Sequence, residues 1–161
     1  MKIVNLIILG IFVLYFQIIF ASNFVFWGII PNFIIAFIIY LCVNSGIRSA
    51  LTISFFWGLA LDLMQPLYLG MNALIFIILA MIISNFHESV NKRRFIVVSF
   101  SVFLINLFYY LIFIFYNLIA IQSRHGFFSD FLLSVVYNSI ISILLIYIFE
   151  LLSKLKLVID V

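Results

Sequence analysis

Long apolar runs, separated by short clusters of charged, polar and turn-forming residues, recur along all 161 residues. A hydrocarbon core of ~30 Å takes about 20 apolar residues of helix to cross. Cutting the chain at the clusters gives six such runs, at about 3–22, 27–44, 47–64, 70–86, 95–121 and 131–152. The second is expected to open on Pro31-Asn32, because a helix start does not need the N–H that proline lacks, and to stop at Asn44-Ser45-Gly46. The third and fourth are divided at Gln65-Pro66-Leu67-Tyr68-Leu69-Gly70, where proline and glycine favour a turn. One helix across both would overshoot a bilayer. The period-2 polar alternation of a membrane barrel is missing, so the runs are read as helices.

Composition turns these helices into membrane spans. At 68% hydrophobic and 8% charged residues, the chain has too little polar surface to clothe a globule, and no stretch is left over for a soluble domain. The expected fold is therefore an all-α integral membrane protein, a single polytopic domain over residues 1–161 that forms a compact bundle of six transmembrane helices. The charges then orient it. Lys2, Arg48, Lys92, Arg93, Arg94, Lys154 and Lys156 fall on one side and Arg124 alone on the other, which places both termini in the cytoplasm. The outer loops are then about 23–30, 65–70 and 122–130. Lys2, the apolar run behind it and Ala21-Ser22-Asn23 faintly resemble a signal peptide, but the run exceeds the usual length and is expected to stay as a span.

The same reading narrows the chemistry. The net charge of +3 is accounted for by the inner loops, where an acidic leaflet attracts it, so nucleic-acid binding is not expected. Cys42 is the single cysteine and reads as a small apolar filler. His87 and His125 fall on opposite sides of the membrane, without a ligand cluster, so no metal site is expected. No phosphate loop occurs, and no serine has an adjacent base, so neither a catalytic residue nor a cofactor is assigned. Glu88 reads as a solvated loop charge and Lys92-Arg93-Arg94 chiefly as a topology anchor, with contact to lipid head groups or to a cytoplasmic partner as the lesser alternatives.

One residue resists this plain reading. From Ala50 to Phe86, 37 residues carry a single charged side chain, Asp62. A carboxylate within the bilayer costs at least ~2.5 kcal/mol unless it is paired, neutralised or held near the interface. Counting 14 residues from Arg48 at ~1.5 Å each places it roughly 21 Å up, in the outer part of the core. Three arrangements would satisfy it: hydrogen bonds from the amides that open the fourth helix around Gly70 to Ala73, a cation on a partner chain, or protonation in a transport path. Ser54, Gly58 and Asp62 recur at i, i+4, i+8, a small and polar stripe that lets another helix approach closely. The sixth run repeats the spacing with Ser134, Asn138 and Ser142, and the fifth carries Ser99, Asn106, Tyr110 and Asn117. These stripes are expected to meet inside the bundle, chiefly as internal cement.

Pro31-Asn32 opening a span, Tyr40 within it, then Gly58, Leu61-Asp62-Leu63, Leu69-Gly70 and Ala73-Leu74, all in a six-span chain of this size, resemble the rod shape-determining protein MreD family. The motif core lies between Pro31 and Leu74, and Asn32 stands where the family commonly has an acid. The resemblance implies a non-enzymatic, multi-pass protein of the bacterial inner membrane that binds MreC, itself a single-span protein with a periplasmic part. Through MreC it would be coupled to MreB, a RodA-type glycosyltransferase and a class B penicillin-binding protein, and so to cell shape and lateral peptidoglycan synthesis. Ser54, Gly58, Asp62, Gly70, Pro31 and Asn32 are the candidates for helix packing or for the partner interface. The competing expectation is the substrate-binding subunit of an energy-coupling-factor transporter, also a compact six-helix membrane protein. It would need a polar pocket under a longer outer loop than the six to nine residues found here.

Overall fold

A computed structural model describes residues 3–64, 69–86, 95–120 and 127–159. These form six α-helices, α1 (Ile3–Phe20), α2 (Phe33–Asn44), α3 (Ile47–Met64), α4 (Met71–Phe86), α5 (Phe95–Ala120) and α6 (Phe127–Ile159), with a 3-10 turn over Ala21–Phe24. His87, Glu88, Lys92, Arg93, Arg94, Arg124 and His125 lie outside the described residues, as does most of the expected turn at 65–70.

Four of the helical stretches are long and apolar enough to cross a membrane, at Ile3–Phe24, Ile47–Met64, Val98–Tyr116 and Asp130–Lys154, while α2 and α4 are shorter apolar helices. Large apolar side chains such as Ile8, Phe12, Phe56, Phe100, Phe115 and Leu144 stand exposed along the long helices. That is a surface for lipid rather than for water.

Helix α2 is the centre. Every side chain from Phe33 to Cys42 is buried, and α1, α3, α4 and α6 all pack against it. Its sequence, apolar on all faces, leaves no side suited to solvent. Helix α1 shows the opposite pattern, with only Leu6, Gly10 and Val13 buried, a narrow stripe at helical spacing. The most extensive pairing is α3 against α4, followed by α5 against α6 and α2 against α6.

The second apolar run is helical only from Phe33, not from Trp27. Phe26 and Ile29 exchange backbone hydrogen bonds of 3.1 and 3.0 Å around Trp27 and Gly28, whose φ values are 48° and 80°. Two successive positive φ angles make this a type I′ turn, which glycine favours and tryptophan does not. Asn32 is the N-cap of α2, its Oδ1 accepting from Ile34 N at 3.2 Å. Pro31 therefore lies one residue before the cap and not in the first helical turn. The sixth helix is also longer than its apolar run, extending from Phe127 to Ile159.

Candidate functional site

At the end of the bundle where α1 and α3 finish and α2 and α4 begin, the buried polar side chains join into one chain of hydrogen bonds. It starts from a local need. Helix α4 opens after Gly70, which has φ +84° and whose carbonyl accepts from Leu74 N at 3.1 Å, so Gly70 occupies the cap position without a capping side chain. The amides of the first turn have no partner within their own helix. Asp62, 0% exposed near the end of α3, supplies the cap from outside: Oδ1 accepts from Asn72 N and Oδ2 from Ala73 N, both at 3.0 Å. A carboxylate at the positive end of a helix dipole is favourably placed. This is the first of the three arrangements that would satisfy Asp62.

Gly58 makes the geometry possible. A Cβ built on it would lie 2.4 Å from Ala73 Cα and 2.7 Å from the Asn72 carbonyl oxygen. The backbone of α3 thus rests directly on the first turn of α4, one helical turn before the carboxylate that caps it.

From Asp62 the chain of bonds continues through side chains. Asn72 Nδ2 donates to Asp62 Oδ1 at 3.0 Å, and Asn72 Oδ1 accepts from the Tyr109 hydroxyl of α5 at 2.9 Å. The same hydroxyl accepts from Asn32 Nδ2 at 3.2 Å, using both its donor and its acceptor capacity. Asn32 N then donates to Asn138 Oδ1 of α6 at 2.7 Å, and Asn138 Nδ2 donates to the Ser134 carbonyl at 3.0 Å. Beside Asn32, Gln17 of α1 donates to the Pro31 carbonyl at 3.0 Å and accepts from Phe33 N at 2.7 Å. Five helices are tied through side-chain bonds, and α1 grips the same capping segment. Aromatic packing holds the middle of the relay, with Phe76 and Phe113 stacked near the Tyr109 ring at 5.9 and 6.2 Å between centroids.

Of the six candidate residues, Asp62, Gly70, Asn32 and Pro31 come together at this junction, and Gly58 is the close contact beneath it. Ser54 is buried two turns down α3, and its Oγ has no hydrogen-bond partner among the described residues, so it lies outside the chain of bonds. In α6, Asn138 belongs to the chain, whereas Ser142 meets Asn106 Nδ2 at 3.4 Å in a separate contact. The side chain of Asn117 lies outside the described residues.

A profile of the rod shape-determining protein MreD matches residues 1–156 of the 161. The chain belongs to the MreD family. No curated protein and no solved structure gave a match. Membership makes this a membrane protein of a rod-shape-determining family, and it spans both the junction and the lipid-facing helices around it. Among the motif positions of the MreD resemblance, Asn32 and Asp62 lie 30 residues apart in sequence and are linked through Tyr109 and Asn72.

Three members of the junction escaped the sequence. Gln17 and Asn72 are polar residues inside apolar runs, a signal that was present but had no visible partner. Tyr109 adjoins Tyr110, which the sequence reading placed in the polar stripe instead, because both sit at helical spacing from Asn106.

Proposed function

We propose that this MreD-family chain is a non-enzymatic inner-membrane component of the bacterial elongation machinery, passing six times through the membrane with both termini in the cytoplasm. It receives the single transmembrane helix of MreC and so helps regulate cell shape and lateral peptidoglycan synthesis, with MreB, a RodA-type glycosyltransferase and a class B penicillin-binding protein reached through MreC. The observation that carries this reading is the family match over residues 1–156, in a chain whose described residues are almost all helix. A protein built this way acts through its helix faces, and packing between such faces is how membrane helices associate.

The junction supports a structural role over transport. Asp62, Asn72, Tyr109, Asn32 and Asn138 spend their polar groups on one another, which leaves them aimed inward and not at a substrate. The test is co-purification from membranes with the MreC of the same genome, alongside rescue of rod shape in cells lacking the chain. Specific recovery of MreC together with restored rods is expected. Rods restored without any association with MreC would overturn the proposal.

A further inference from the structure

The opposite end of the bundle carries a feature the junction does not use. Where α2 and α4 finish and α5 begins, α4 meets α5 along a short seam, and beside it lies a groove of about 310 Å³. Its walls are Ile83 of α4, Val98, Val102 and Ile105 of α5, and Ile146 of α6. Polar groups gather at one end, where Asn44 closes α2 and Glu150 stands on α6. Glu150 is exposed, and no ion pair is seen for it among the described residues. Lys154, also exposed, lies one helical turn further along the same face.

Size selects the occupant. A dry apolar cavity of about 150 Å³ takes one benzene, so a groove twice as large takes about a dozen carbon atoms. The groove therefore suits one hydrocarbon chain. Charge selects the head group. A lipid whose only head charge is a phosphate would set that charge against Glu150, whereas an ammonium meets the carboxylate and leaves the phosphate for Lys154.

We propose that this groove is a specific site for an aminophospholipid of the phosphatidylethanolamine type, with one acyl chain between α4 and α5 and its ammonium on Glu150. The site is independent of the partner reading above, since it requires only that the chain resides in a bilayer. A bound lipid fills the seam that α4 and α5 leave open and completes their packing.

Native mass spectrometry of the full chain, delipidated in mild detergent and titrated with phosphatidylethanolamine or phosphatidylglycerol of identical acyl chains, tests this. One phosphatidylethanolamine retained per chain is expected, about tenfold in preference to phosphatidylglycerol. Ser101 of α5 also lines the groove, and Ser101→Phe, which adds a ring there, should abolish retention of both lipids. Val98→Phe does the same from a neighbouring position, should the first variant fail to fold. Glu150→Gln should cut the preference about two- to fivefold while leaving acyl-chain binding in place. Equal retention of the two lipids by the unaltered chain would overturn the proposal. So would lipid retention unchanged in a folded Ser101→Phe or Val98→Phe variant.

Discussion

At its first turn α4 receives the Asp62 carboxylate on two backbone amides and lies against Gly58 of α3, whereas its last turn, at Ile82 and Ile83, borders an apolar groove beside α5. The two ends of one helix are held by different physics. Inside a bilayer, lipid tails compete with apolar side chains on equal terms, so an apolar seam gains little from closing. A polar group has no such alternative partner in lipid, so a buried one gains by finding its complement within the protein. The junction is therefore closed by mutual need, and the groove is left open for hydrocarbon.

The contrast can be broken most severely at Gly58. Gly58→Leu would force α3 and α4 apart and take Asp62 away from the amides it caps. Destabilisation of about 3 kcal/mol or more is expected, read as loss of the folded state in detergent unfolding. Asp62→Asn should come next, at about 2 kcal/mol, because one carboxylate oxygen becomes an N–H donor facing a backbone N–H. Faster hydrogen exchange at Asn72 and Ala73, with α6 unchanged, would locate that loss at the first turn of α4. Tyr109→Phe removes the hydroxyl that joins Asn72 to Asn32 and should cost about 0.6–1.7 kcal/mol, the range found for interhelical hydrogen bonds in membranes. The smallest effect belongs to the loose end, where Glu150→Gln, at an exposed position, should change stability by less than about 0.5 kcal/mol.

How much of this was legible before the structure depends on how local each signal is. Asp62 stood out because a lone acid in an apolar stretch demands partners, and the Gly70 turn eight residues later marked where a helix start would offer them. Gly58 was visible as a small residue one turn before the acid. The start of α2 was not visible in the same way. Hydropathy stays high through Trp27-Gly28-Ile29-Ile30, and nothing local shows that the Phe26 and Ile29 backbones pair across a turn instead of entering a helix. The partners of Asn32 lie 77 and 106 residues away, at Tyr109 and Asn138, and a single sequence carries no signal for such distances. Gln17 and Asn72 were hidden for the same reason. Their polarity marks them, but only the packed bundle says what they bond. The groove was less legible still, since it arises from what α4 and α5 fail to fill.

The continuity of the polar chain is tested most directly by a double-mutant cycle between Asp62→Asn and Tyr109→Phe, measured as unfolding free energy of the full chain in one detergent. These two side chains bond to opposite ends of the Asn72 side chain. Acting through a shared, buried amide, they should be coupled by more than about 0.5 kcal/mol. Two changes that add to within about 0.3 kcal/mol would show independent contacts and contradict a single chain of bonds across the junction.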